Sequence, residues 1–142
     1  MDPDPKTRPD PDQLATVPLF ESLSREQLKV VSSRTSVHRA DAGRRLVGQG
    51  TPGYSFFVIQ EGTVSVTSDG EEVGELGPGD FFGELALLGE GDRTATVTTT
   101  SPVKLIVMQA HDFRVFTRDF PEVAARIRDA TAQRFARSEA SG

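Results

Sequence analysis

The chain contains no cysteine. That excludes a disulfide framework, a thiolate nucleophile and every Cys-ligated zinc or iron–sulfur site. Its two histidines, His38 and His111, lie far apart, and no His-x-His or His-x-x-x-His pair exists, so no metal and no resident cofactor are expected. Long apolar runs are missing as well. Leu105 to Met108 is among the longest, far short of the ~20 residues that span a bilayer. The acidic, Pro-rich start lacks the basic and apolar regions of a signal peptide. These absences predict a soluble, cytoplasmic chain with no membrane insertion. An excess of positive charge is also lacking: the net charge is −5 and the pI near 5.0. Without the positive field that supplies most non-specific nucleic-acid affinity, no direct nucleic-acid partner is expected. Lysine and arginine are absent from Leu46 to Asp92, a stretch with nine acidic residues, and Arg93 ends that gap. Most of the nine read as solvated turn residues.

What is present suits one domain. The 142 residues are 36% hydrophobic and 26% charged, enough for a single core and too apolar for a disordered chain. The first dozen residues, MDPDPKTRPDPD, hold four Pro and four Asp. Such text buries little, so residues 1–13 are predicted to be a flexible tail, 14–137 the domain, and 138–142 a flexible end. Ser24-Arg-Glu-Gln27 carries the pattern of a capping box and predicts a helix over about 24–34.

Twelve of the thirteen glycines fall between Gly43 and Gly91, cutting that stretch into short runs of β-branched and aromatic residues. This is the punctuation of an all-β domain. Strands are predicted at Tyr54 to Gln60, Thr63 to Ser68, Glu71 to Leu76, Thr94 to Thr99 and Val103 to Gln109, with Asp69-Gly70 as a tight type I′ turn. A helical period then returns around Phe113, Val115 and Phe116. Pro121 suits the first turn of a final helix, along which Val123, Ile127, Ala130 and Arg134 form a narrow stripe. The cluster of Phe113, Phe116 and Phe120 reads as helix packing.

Residues 79–97 carry the chemistry: Gly-Asp-Phe-Phe-Gly-Glu-Leu-Ala-Leu-Leu-Gly-Glu-Gly-Asp-Arg-Thr-Ala-Thr-Val. Gly83 lets a ligand approach the backbone, and amides around Leu85 and Ala86 at a helix start offer donors to an anion. Ala86 is small enough to leave them uncovered. Arg93 supplies a planar fork to two phosphate oxygens, which lysine does not match. Glu84 would repel a phosphate unless it has another task, such as accepting from a sugar hydroxyl. A ribose phosphate whose hydroxyl and phosphate lie close together satisfies both demands, as a cyclic nucleotide does.

The segment resembles the phosphate-binding cassette of cyclic nucleotide-binding domains. Gly83-Glu84-Leu85-Ala86-Leu87, Arg93-Thr94-Ala95-Thr96 and the nine-residue step from Glu84 to Arg93 carry the resemblance. More loosely it takes in Val17-Pro-Leu-Phe20, Gln49-Gly50, Phe57-Val-Ile59, Glu61-Gly62 and Gly77-Pro-Gly-Asp80. It implies an eight-stranded jelly-roll barrel, mainly β, with N-terminal helices and two C-terminal helices. It also implies that Phe82, Gly83, Glu84, Leu85, Ala86, Arg93, Thr94 and Ala95 line a ligand site, with Arg93 on the exocyclic oxygens and Thr94 near phosphate and base. In similar domains a residue near Arg134 covers the purine. Two departures stand out: Thr51-Pro-Gly-Tyr54 lacks the acidic residues many members carry there, and Asp92 sets a negative charge beside Arg93.

The resemblance implies a non-catalytic regulatory sensor for a small cyclic nucleotide, with cAMP and cGMP both open, acting on an unidentified effector. Three competitors remain. An enzyme using Glu84 as general base lacks a metal or histidine partner in the sequence. A DNA-binding regulator needs a helix-turn-helix beyond the long helix. A degenerate barrel would serve protein contact alone.

Overall fold

Alternation along short antiparallel strands builds two facing sheets in the structure, a computed structural model. It describes residues 2–4, 8–50, 55–83 and 95–141, with side chains for 8–50, 55–83 and 95–133. The strands are β1 (Asp2–Asp4), β2 (Ser36–Ala40), β3 (Arg45–Val47), β4 (Ser55–Glu61), β5 (Val64–Ser68), β6 (Glu71–Leu76), β7 (Phe81–Phe82), β8 (Thr96–Thr99) and β9 (Val103–Gln109). One sheet runs β1-β2-β9-β4-β7, the other β3-β8-β5-β6. Strands β2 to β9 form the eight-stranded jelly roll, and β1 extends one sheet edge. Among the described residues four α-helices accompany them: α1 (Pro11–Leu14), α2 (Arg25–Ser33), α3 (Ala110–Asp119) and α4 (Pro121–Ser141).

At the centre of the five-stranded sheet β4 and β9 are buried on both faces, which explains their near-continuous apolar text. Phe56, Val58, Ile106 and Met108 pack with Phe20, Val31, Phe113, Phe116, Val123 and Ile127 of the helical layer. Their strand neighbours Phe57, Ile59, Leu105 and Val107 turn the other way, against Val64 and Val97 of the second sheet. The predicted helix packing of the phenylalanines holds: Phe113 lies 4.7 Å from Phe56 and Phe116 lies 5.9 Å from Phe20 and 5.0 Å from Phe120, centroid to centroid.

Strands β6 and β9 match their predicted bounds, and the Ser24 capping box forms as predicted. Asp69 and Gly70 both take positive φ, 53° and 81°, as a type I′ hairpin demands. Strands β2, β3 and β7 were not predicted.

Within the expected tail, residues 8–13 make specific contacts in the structure. The Arg8 guanidinium donates to the Ser33 and Thr35 carbonyls at 2.8 and 3.0 Å, and the Ser32 hydroxyl donates to the Pro9 carbonyl. Asp10 caps α1, whose first residue is Pro11, and Asp12 pairs with Arg25. Upstream, the β1 backbone pairs with β2 from Asp2↔Arg39 to Asp4↔Val37. Proline-rich text has less conformational freedom to lose on ordering, so a few polar contacts hold it.

Candidate functional site

Two strands of opposite sheets hold the ends of the glycine-rich segment. On the approach side, the turn Gly77–Asp80 is closed by the Asp80 amide on the Gly77 carbonyl at 3.0 Å and by the Asp80 carboxylate, which accepts from the Gly77 amide at 2.9 Å. The turn is bound to β4 through Ile59, whose amide donates to Asp80 and whose carbonyl accepts from Gly79, both at 2.8 Å. β7 then pairs Phe81 with Val58 and Phe82 with Phe57. The Phe82 ring lies 4.7 Å from Phe57 with planes 12° apart and is 4% exposed, so that ring serves the barrel core. Gly83 follows at φ 94°, a conformation suited to glycine.

On the departure side, Ala95 is half-buried and leads into β8, which sits between β3 and β5. The Thr96 hydroxyl accepts from the Gln49 amide at 3.0 Å. The Gln49 side chain in turn donates to the Asp69 carboxylate at 2.9 Å and accepts from the Asp69 amide at 2.8 Å. The Thr99 hydroxyl accepts from the Arg44 amide and donates to the Asp41 carbonyl. The described residues on either side of 84–94 thus belong to strands of different sheets, and hydrogen bonds anchor both flanks. Of the predicted site residues, Phe82, Gly83 and Ala95 belong to these anchors. Glu84, Leu85, Ala86, Arg93 and Thr94 lie outside the described residues. Arg134 belongs to the backbone of α4, and its side chain lies outside the described residues too.

Two residues that the looser resemblance takes in, Asp80 and Gln49, prove to be positioning residues: Asp80 holds the turn, and Gln49 ties the β3 end to the hairpin tip. An Asp after Pro-Gly is suited to accept from a turn amide. The partners of Gln49 lie 20 and 47 positions away, so its contacts are not readable from local sequence.

The final helix starts at Pro121, and its stripe is deeper than the sequence suggested. Val123 and Ile127 are fully buried, joined by Ala124 and Ala130. The Thr131 hydroxyl returns to the Ile127 carbonyl at 2.8 Å. Elsewhere, burial holds the His38 imidazole below its ordinary pKa. Its Nε2 lies 2.9 Å from the Ser36 hydroxyl, while its buried Nδ1 has no hydrogen-bond partner among the described residues.

The fold and segment find close counterparts. The family model described as cyclic nucleotide-binding domain matches residues 37–119. A cyclic nucleotide-gated potassium channel of Rhizobium etli is 36% identical over 121 residues, covering 85% of this chain and 34% of the channel. A cAMP-dependent protein kinase regulatory subunit of Yarrowia lipolytica is 35% identical over 101 residues, 71% of this chain and 27% of that protein. Among solved structures, cAMP-bound PfPKA-R superposes with a TM-score of 0.83 over 93% of this chain and 46% of that one, at 20% identity, which is a likeness of fold. The chain thus spans about a third of the length of the channel and less of the kinase subunit. With the match running from β2 through α3, across both anchors of the glycine-rich segment, the chain belongs to the cyclic nucleotide-binding domain family.

Proposed function

We propose that this chain is a non-catalytic regulatory sensor that captures a cyclic purine nucleotide on residues 82–95 and passes occupancy to α4. The observation that supports the reading is the pair of anchors: Gly83, which follows β7 of one sheet, and Ala95, which leads into β8 of the other, bracket a segment whose sequence holds an arginine fork, a hydroxyl acceptor and candidate helix-start amides. In this reading Arg93 pairs with the exocyclic phosphate oxygens, Glu84 accepts from the ribose hydroxyl, and amides near Leu85 and Ala86 face the cyclic phosphate. Thr94 reaches phosphate and base. Arg134 stacks its guanidinium on the purine when α4 closes over the site, and the helix carries the signal to an effector outside this domain. No helix among the described residues is long and apolar enough to cross a membrane, which agrees with a cytoplasmic sensor attached to larger machinery. No reaction is assigned to Glu84.

Calorimetric titration with cAMP and with cGMP tests the reading. Both nucleotides are expected to bind and to be recovered unhydrolysed. Thr94→Ala is expected to cost cGMP more than cAMP, by about one neutral hydrogen bond, ~0.5–1.5 kcal/mol. Absence of binding by either nucleotide leaves the degenerate-barrel reading, and hydrolysis of the ligand overturns the non-catalytic one.

A further inference from the structure

Arg126 projects from α4 to a part of the chain remote in sequence. Its guanidinium donates to the Pro18 carbonyl at 2.9 Å and pairs with the Glu21 carboxylate at 3.1 Å. Pro18 opens the short 3-10 turn Pro18–Phe20. The other side of the same proline rests on the turn that leads to β7: a Cβ added at Gly79 would meet Pro18 Cδ at 3.2 Å and Cγ at 3.5 Å. Gly79 is fixed to β4 through the Ile59 carbonyl, and it precedes the Phe81–Phe82 strand and Gly83 by two to four residues. One proline thus touches the approach to the glycine-rich segment through its ring and the final helix through its carbonyl.

We propose that Pro18 is a relay between the Gly79 turn and α4, with Arg126 as the positioning residue that couples the helix to it. The regulatory meaning of this relay rests on the sensor reading above, whereas the mechanical coupling does not. The ring transmits displacement of the turn, since a proline cannot yield by rotating its side chain. The two-pronged guanidinium contact transmits it onward, because Arg126 holds a backbone carbonyl and a carboxylate three residues apart at once. Val123, Ala124 and Ile127 pack α4 into the helical core, so Arg126 sets how the helix meets the turn rather than whether it docks.

Amide exchange on the nucleotide-free chain tests the coupling without any ligand. Arg126→Gln is expected to speed exchange at residues 123–128 by about three- to tenfold. Gly79→Ala, which crowds Pro18 and also strains a backbone held at φ 90°, is expected to alter exchange at the same amides although it lies on another element, and the share of that effect that passes through Pro18 is read from the Pro18→Ala background. The double variant is expected to miss the product of the single effects by about twofold or more, because both act through Pro18. Pro18→Ala, which keeps the carbonyl and removes the ring, is expected to abolish the Gly79→Ala effect and supplies the test should Gly79→Ala fail to fold. Multiplicative effects, or α4 exchange indifferent to Gly79→Ala and Pro18→Ala, would overturn the relay. Repeating the comparison with saturating cAMP separates the two claims. If cAMP binds, Arg126→Gln is expected to lose at least half of the ligand-induced protection in α4. Full retention overturns the regulatory role, whereas failure of cAMP to bind the unaltered chain overturns the sensor reading and leaves the relay to be judged by the nucleotide-free cycle.

Discussion

The two sheets of the barrel differ in how they are covered. The five-stranded sheet is sandwiched between helices and its partner sheet, and β4 and β9 bury residues on both faces. The four-stranded sheet buries only one face. Along β5 only Val64 is fully buried, and along β6 every residue except Leu76 is exposed. The described flanks of residues 84–94 belong to different sheets: Gly83 follows β7 of the first and Ala95 leads into β8 of the second. A recognition segment placed this way can vary in chemistry while the covered sheet keeps the fold. The exposed edge at β6 carries Glu71, Glu72 and Glu75 and a register shift opposite Val66 and Thr67, both devices that keep an open strand from pairing with another chain.

This contrast is open to direct attack. Ile59→Ala, a fully buried change in the covered sheet, should cost about 2–5 kcal/mol by loss of burial and the cavity left behind, read by denaturant unfolding at constant m-value. A cost below about 1 kcal/mol would mean that the double burial of this sheet is not what stabilises the fold. Ser24→Ala, which removes the cap of α2 in the helical layer, should cost about 0.5–2 kcal/mol; no change would show that the helix is held by packing alone.

His38 sits in β2 of the covered sheet, and its pH response follows from burial. Because the folded imidazole has a pKa below its unfolded value near 6.5, the unfolded chain binds more protons as pH falls. Stability from the neutral ring is complete above about pH 6.5 and is lost progressively as pH drops toward the lower folded value. His38→Gln should flatten the stability profile across that window, and an unaltered slope would place its origin in other groups. Smallest of all, Ser65→Ala on the second sheet, whose hydroxyl donates to Glu72 at 3.2 Å in an exposed position, should change stability by no more than about 0.5 kcal/mol. A loss comparable with Ile59→Ala would erase the distinction between the sheets.

The same contrast decides what could be read from sequence. β6 and β9 were legible to the residue, β6 because the Asp69-Gly70 turn and Gly77 bracket it and β9 because its apolar run has no helical competitor. β2, Ser-Val-His-Arg-Ala, was missed: it pairs with β9 over its full length, yet no glycine or turn text closes it at its start. β3 and β7, at three and two residues, are too short for period-2 alternation to show; tertiary pairing makes them strands. Composition shows how little the N-terminal segment buries, while its contacts are polar and not readable from composition: Arg8 on the carbonyls beyond α2, and Asp10 as a cap. At the site, residue types and the step from Glu84 to Arg93 were legible, and so was Gly83. The contacts of Gln49 and Pro18 were not, although the resemblance takes in both residues, since they act on residues distant in sequence that only the fold brings near.

The central claim is that residues 82–95 hold a cyclic nucleotide by its phosphate, and Arg93→Ala tests it most directly. Circular dichroism and thermal unfolding of the variant should match the unaltered chain, which separates loss of binding from loss of fold. Calorimetry with cAMP should then show affinity falling by roughly thirtyfold to several-thousandfold, the ~2–5 kcal/mol cost of truncating one partner of a buried charge pair. Affinity unchanged within about threefold, in a variant with an intact fold, would contradict the claim.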